Sequence, residues 1–311
     1  MVGQAVPVPA STSERTSRFL RVGRVWVQPR YVVMLQGHGL TGFSSVFRFE
    51  GGERLDKPGL ARWRERRRVV LTDLAGEPRT LYLKRYVRPP LGQQLRRIFS
   101  AGPRQSTAGR EWRTTLALAE AGIPVSEPVA FGQETRAWFE RRSFIVLEAA
   151  PGRSLESWLP VEWKRRAVGA DFRRQRDLVL ALARQVAALH AAGFVHRDLY
   201  TSHIFIQEAT GGPPRFTFID LQRVFRPRWR RSRWIVKDLA QLYYSTEAFA
   251  SRSDRLRFWR EYLRSAPERD RAQDLPARIE RKAAWIGRHD RNARQRHRPG
   301  PAAPREAGGA G

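Results

Sequence analysis

The chain of 311 residues contains no cysteine. Disulfides, thiolate metal sites and cysteine nucleophiles are therefore excluded, and a reducing compartment fits. No stretch approaches the roughly 18 apolar residues that a spanning helix needs. The N-terminus, MVGQAVPVPASTSERTSR, lacks an apolar run of signal-peptide length. These shortages predict a protein that is neither secreted nor membrane-spanning. Acidic residues are also scarce, with 30 Asp+Glu against 58 Lys+Arg and a formal net charge of +28. Such a field attracts nucleic acid, an anionic membrane surface or a phosphorylated substrate. A merely solvated basic surface is the bland alternative. The hydrophobic fraction of 41% is enough to fold most of the chain around a core.

The pattern changes along the chain. Residues 1–18 are polar and read as disordered. From residue 19 to 148 the runs RVWVQPRYVVML, SSVFRFE, RRVVLTD, TLYLKRY and RRSFIVLE read as strands. One helix, GREWRTTLALAEAG, interrupts them and stops at Gly122 and Pro124. From 149 to 286 the chain is mainly helical. RDLVLALARQVAALHAAG carries Leu178, Leu182, Val186 and Leu189 at helical spacing and ends at Gly193. HIFIQ and RFTFID form a short hairpin, and VKDLAQLYYSTEAF and DRLRFWREYLRSA are further helices. The basic, then Pro/Gly/Ala-rich tail 287–311 reads as disordered. A strand-rich lobe before a helix-rich lobe is an α+β organisation, with the hinge near Glu148 to Gly152.

The segment VHRDLYTSH carries the strongest chemical signal. H-R-D-L-x-x-x-N is the catalytic loop of kinases, and here His203 stands in place of the Asn. Phosphoryl transfer needs a carboxylate beside the acceptor hydroxyl, and Asp198 is that candidate. His196 and Arg197 brace the loop. After the hairpin comes Asp220, followed by Leu221 and Gln222 where a kinase has Phe and Gly. The carboxylate that Mg²⁺ needs is kept. Magnesium prefers oxygen ligands and imidazole suits softer metals, so His203 is the weaker candidate ligand. Upstream, Lys84 in LYLKRY corresponds to the strand lysine that contacts the α/β-phosphates. Glu111 is its expected ion-pair partner.

Gly37, Gly39 and Gly42 form G-x-G-x-x-G between runs read as strands. A dinucleotide fold would require a helix directly after them, so a glycine-rich hairpin over ATP phosphates is expected instead. The backbone from Glu148 to Ala150 is placed to hold adenine. Asp238 is expected to anchor the catalytic loop. The short interval between Asp220 and Asp238, without an A-P-E triplet, argues against an activation segment and a protein-substrate groove. That interval is basic. Arg223, Arg226, Arg228 and Arg230 are candidates to grip an anionic acceptor through planar guanidinium groups.

The runs GREWRTTLALAEAGIPV, RRSFIVLEAAPGRSLESW, AGFVHRDLYTSHIFI and FIDLQRVFRPRWRRSRWIVKDLAQLYYS together resemble the lipopolysaccharide kinases of the Kdo/WaaP type. The resemblance covers Lys84 to Ser245 and includes His at the position of His203. It implies a protein-kinase-like bilobal fold, with one main helix in the strand-rich N-lobe. It also implies transfer of the ATP γ-phosphate to a heptose or Kdo hydroxyl of the lipopolysaccharide inner core. Asp198 would then be the base, Asp220 the metal ligand, Lys84 the phosphate contact and Glu111 its partner. ATP and Mg²⁺ are the implied cofactors, with Mn²⁺ as the alternative metal. The implied partners are an anionic lipid-linked saccharide and the inner face of the inner membrane, not nucleic acid. The basic amphipathic segment PPLGQQLRRIFSAGPR is a candidate membrane contact.

Two other readings compete. One is an inactive kinase fold that binds anionic membrane or nucleic acid. The retained set Lys84, Asp198 and Asp220 counts against it. The other is a small-molecule kinase of the aminoglycoside or choline type, against which the form HRDLYTSH counts.

Overall fold

In PRTLYLKRYV the side chains alternate, with Leu81 and Leu83 on one side and Tyr82, Lys84 and Tyr86 on the other. A strand with two such faces needs a covering layer on each. The computed structural model of the chain supplies both layers. It describes residues 19–55, 62–101, 105–164, 168–208, 212–267 and 274–296. The expected disordered segment 1–18, and residues 297–311 of the expected tail, lie outside these.

The N-terminal part runs β1 (Leu20–Val22), β2 (Val25–Val27), α1 (Val32–Gly37), α2 (Phe43–Arg48), β3 (Glu53–Arg54), β4 (Arg64–Thr72), β5 (Pro78–Val87), α3 (Leu91–Ala101), α4 (Thr107–Glu120), β6 (Pro128–Arg136) and β7 (Phe139–Glu148). The strands form one antiparallel sheet in the order β1-β2-β6-β7-β5-β4-β3. On one face Leu81, Leu83, Phe144 and Val146 pack with Met34, Leu35, Leu40, Phe43 and Val46 from α1 and α2. On the other face Tyr86, Ile145 and Leu147 pack with Ala108 and Trp112 from α4. Lys84 lies opposite Arg66 on β4 and Ile145 on β7, so it shares the α4 face.

The C-terminal part runs β8 (Arg153–Ser154), α5 (Leu155–Glu162), α6 (Gly169–Ala191), β9 (Ile204–Gln207), β10 (Arg215–Phe218), α7 (Arg231–Thr246), α8 (Arg252–Ser265) and α9 (Leu275–Arg296). Its core joins Leu155 and Trp158 with Leu182, Val186, Leu239 and Tyr262. Gly152, at the lobe connection, has φ +81°, and a Cβ there would lie 1.9 Å from the Ile206 carbonyl oxygen. Only glycine permits that approach of the connection to β9. The strand-rich lobe and helical lobe match the expected α+β, kinase-like organisation. Among the described residues no helix is long and apolar enough to cross a membrane.

Three expectations need correction. VVMLQG and FSSVFR are helices, not strands. Phe43 and Val46, buried at helical spacing, hold the second against the sheet. The glycine motif between them is therefore not a β-hairpin. Leu40 N–H donates to the Leu35 carbonyl at 2.7 Å and Gly39 N–H to that of Gln36 at 2.9 Å, with Gly39 at φ +69°. That pair of bonds is the Schellman closure of a helix, which needs a left-handed residue and here uses Gly39. The basic tail is also not irregular from residue 287, because α9 continues to Arg296. Ile279, Ala283 and Ile286 bury one face of α9 in the helical core.

Candidate active site

The catalytic-loop segment begins where α6 ends. His196 N–H and Arg197 N–H each donate to the Asp238 carboxylate at 2.6 Å. Leu199 N–H donates to Gln241 Oε1 at 3.1 Å, and Thr201 N–H to Ser245 Oγ at 3.2 Å. Asp238, Gln241 and Ser245 recur at i, i+3 and i+7, so one face of α7 receives the whole loop backbone. Asp238 is fully buried, and a buried carboxylate requires such donors. The anchoring geometry expected of Asp238 is present. Gln241 and Ser245 were missed, although their spacing from Asp238 in KDLAQLYYS was the available signal.

His196 is buried, and burial lowers its pKa, which keeps the ring neutral near pH 7. Its Nε2–H donates to the Ile219 carbonyl at 3.1 Å, which ties the loop to the residue before Asp220. Arg197 takes φ 70° and lays its guanidinium 5.5 Å from the Phe225 ring centroid and 5.0 Å from that of Trp234. Both residues thus brace the loop rather than face the opening.

Lys84 Nζ donates to Glu111 Oε1 at 2.6 Å and lies 3.5 Å from Asp220 Oδ1. Glu111, and not the exposed Glu120 at the end of α4, is the partner. Asp220 adopts φ 56° and pairs with Arg66 at 3.6 Å. Burial alone would raise its carboxyl pKa, but Lys84, Arg66, His203 and His196 outweigh burial and hold it at about 2. Arg66 had no sequence signal; only the β4–β5 register brings it beside Lys84.

Two observations test the site for a divalent cation. Asp220 Oδ1 is buried without a hydrogen-bond partner. His203 Nδ1–H donates to the Asp198 carbonyl at 2.8 Å, which leaves Nε2 3.9 Å from Asp220 Oδ2. A histidine whose Nδ1–H is fixed on a backbone carbonyl is oriented to offer Nε2 as a ligand, and Asp220 beside that nitrogen supplies carboxylate oxygens. The pair fits a cation, although no group of three such ligands occurs among the described residues.

Asp198 opens onto a pocket of about 1290 Å³. Its Oδ1 accepts from Arg223 at 2.7 Å. Lys237 Nζ donates to the Arg197 carbonyl at 2.6 Å, and burial, then the Arg223 charge, lowers its pKa. Of the four arginines expected to grip an acceptor, only Arg223 lines this pocket. Phe225 pairs with Val195, so the next side chain turns to the far side, where Arg226 lies 4.3 Å from the Phe194 ring centroid. Arg228 is exposed, and Arg230 occupies a left-handed turn before α7. Arg233, Lys237, Arg278, Arg281 and Lys282 supply the remaining cations.

Gly37, Gly39 and Gly42 do not reach the site. Their helices cover the sheet face opposite Lys84. The side chain of Glu148 also points to that opposite face, where it accepts from Tyr31 Oη at 2.8 Å. Its backbone and that of the buried Ala150 remain at the lobe connection.

Comparison with known proteins gives the same result from three directions. The chain is 34% identical over 227 residues to the lipopolysaccharide core heptose(I) kinase WaaP of Pseudomonas aeruginosa, covering 70% of this chain and 82% of that one. It is 32% identical over 231 residues to WaaP of Escherichia coli, covering 71% and 84%. A solved structure described as WaaP in complex with acyl carrier protein superposes with a TM-score of 0.57 at 28% identity, covering 88% of this chain and all of that one. The profile of the lipopolysaccharide kinase (Kdo/WaaP) family matches residues 61–273. On this evidence, and with a site of kinase geometry, the chain belongs to the lipopolysaccharide kinase (Kdo/WaaP) family.

Proposed function

We propose that this protein transfers the γ-phosphate of ATP to a heptose hydroxyl of the lipopolysaccharide inner core. The observation that carries the reading is the position of Asp198. It lines a wide basic pocket, and its carbonyl holds His203, whose other nitrogen lies 3.9 Å from Asp220 of the Lys84–Glu111–Asp220 cluster. The similarity to heptose(I) kinases favours heptose over Kdo. In this reading residues 19–148 bind the nucleotide, with adenine against the backbone of Glu148 to Ala150. Residues 149–296 bind the acceptor.

Lys84, held by Glu111, draws the phosphates toward Asp220. A divalent ion on Asp220 would neutralise developing charge on the transferred group. Asp198 orients the acceptor hydroxyl and accepts its proton. Arg223 and Lys237 flank that carboxylate and stabilise negative charge as it develops. His196 stays neutral and holds the loop.

The acceptor is lipid-linked, and an exposed apolar patch supports contact with an anionic bilayer. Leu91 and Leu95 on α3 are 68% and 48% exposed, and Trp138 and Phe139 at the β6–β7 turn are 62% and 41% exposed. Arg97 fastens the two pieces by donating to the Trp138 carbonyl at 2.7 Å. The exposed Arg88, Arg136 and Arg141 adjoin the patch. Acyl carrier protein, which the solved relative binds, is a further candidate partner, and the positive net charge suits an acidic protein.

The test is incubation of purified protein with ATP and core saccharide, followed by mass spectrometry for one added phosphate. Asp198→Ala should lower turnover by about 10²- to 10⁴-fold, the usual contribution of a positioned base. Absence of acceptor-dependent turnover in the wild type would instead favour the inactive binding module.

A further inference from the structure

The pocket beside Asp198 holds more cations than the transfer of one phosphoryl group employs. Arg223 and Lys237 stand at its inner end, next to the proposed base. Its outer wall is α9, where Arg278, Arg281 and Lys282 line the pocket together with Trp285. Arg233, from the first turn of α7, lines it too. Besides Asp198, the carboxylates in the pocket lining are Glu156 and Asp290, and Asp290 accepts from Tyr244 Oη at 2.8 Å. Arg278 lies 3.5 Å from Asp274 and donates to Ser232 at 3.4 Å. Among the described residues no carboxylate pairs with Arg233, Arg281 or Lys282. The Lys282 ammonium lies 3.6 Å from the Trp285 ring centroid. Burial, and then the Arg233 charge, lowers its pKa. Arg233 and Arg281 are exposed and Arg278 and Lys282 half-buried, so solvent screens these like charges in part, and a bound anion relieves the repulsion that remains.

The volume is consistent with a large ligand. About 1290 Å³ exceeds the roughly 300–1,000 Å³ of common small-molecule sites, so more than one sugar fits. Trp234 and Trp285 also line it, and their rings are already engaged: Arg233 lies 5.6 Å from the Trp234 centroid, and Trp285 stacks on His289 at 5.3 Å.

We propose that α9 and Arg233 bind a second anionic group of the acceptor, a carboxylate or phosphate on a unit adjoining the sugar that receives the phosphoryl group. Planar guanidinium groups suit either anion, since both accept two parallel hydrogen bonds. The acceptor is thereby read at two points, and the anion fixes which hydroxyl reaches Asp198. The inference rests on the proposed saccharide kinase reading.

The test uses the full chain and the double variant Arg281→Gln/Lys282→Gln. Each is assayed on the native core glycolipid, on the same acceptor with its carboxylates reduced to alcohols, and on the acceptor with its phosphates removed. On the native acceptor kcat/KM should be about 10-fold higher for the wild type than for the variant, mainly through KM, which is the loss of one good ion pair. That ratio should collapse toward one on whichever neutralised acceptor lacks the bound group, which identifies carboxylate or phosphate. An equal ratio on all three acceptors overturns the proposal. Arg288→Gln, on the same helix but outside the pocket, should match the wild type; an equal loss there would mark a damaged helix and also overturn it. If the wild type phosphorylates no core saccharide, the kinase reading fails separately. Calorimetric binding of the same three acceptors then decides the anion site without turnover.

Discussion

His203 donates through Nδ1 to the Asp198 carbonyl, and this single bond determines what its other nitrogen offers. With Nδ1 so engaged, Nε2 is the ring nitrogen that faces Asp220, 3.9 Å from its Oδ2. Nitrogen is a better ligand for Mn²⁺ than for Mg²⁺. His203→Asn, which supplies an amide oxygen instead, should lower the Mn²⁺-to-Mg²⁺ activity ratio several-fold in parallel metal titrations. An unchanged ratio would remove His203 from the metal site. His196 gives a stability prediction. Its folded-state pKa is depressed by burial, so the unfolded chain binds the proton more readily. The stability it contributes is complete above the ordinary histidine value near 6.5 and declines as pH falls below it. Urea unfolding from pH 7.5 to 5.5 should show that decline, and His196→Gln should flatten it. At this scale the sequence was informative because chemistry restricts residue type. The lysine, glutamate and two aspartates of the site could be named in order. Arg66 and Lys237 could not, since one is brought in by strand register and the other by packing of α7.

The same glycine geometry closes three helices. Gly122 and Gly193, like Gly39, take positive φ and cap α4 and α6. Two of these were legible as helix stops because a long amphipathic pattern preceded them. The third followed only a short apolar run, and its spacing imitated a phosphate loop. Valine-rich segments such as VVML are ambiguous in this way, since β-branched residues favour strands until burial at helical spacing overrides them. For α3 the amphipathic reading was available, but its orientation was not. The buried Gln94 and Arg97 face the β6–β7 turn while Leu91 and Leu95 are exposed. Sedimentation with vesicles rich in anionic phospholipid should therefore weaken severalfold in Leu95→Glu/Trp138→Ala, while thermal stability stays near that of the wild type. Equal sedimentation of both proteins would exclude this patch as the contact.

At the scale of the whole molecule, charge and lobe order were readable, and the acceptor pocket was not. That pocket needs α9 to lie against α7, a contact between segments far apart in sequence that no local pattern announces. The basic excess then becomes a kinetic quantity. Between 50 and 500 mM salt, the KM for acceptor should rise severalfold as screening shortens the reach of the pocket's field. A flat salt response would mean that the surplus charge lies elsewhere on the surface. Asp220 links the two lobes, and its backbone has a consequence for descent. At φ 56° it occupies a conformation that asparagine and glycine tolerate well and that β-branched or bulky residues resist. Loss of its charge through Asn or Gly would leave the loop unstrained, whereas Val or Ile would add backbone strain to the loss of charge. Lineages that abandon phosphoryl transfer while keeping the fold should thus carry Asn or Gly at this position more often than a random choice of neutral residue would give.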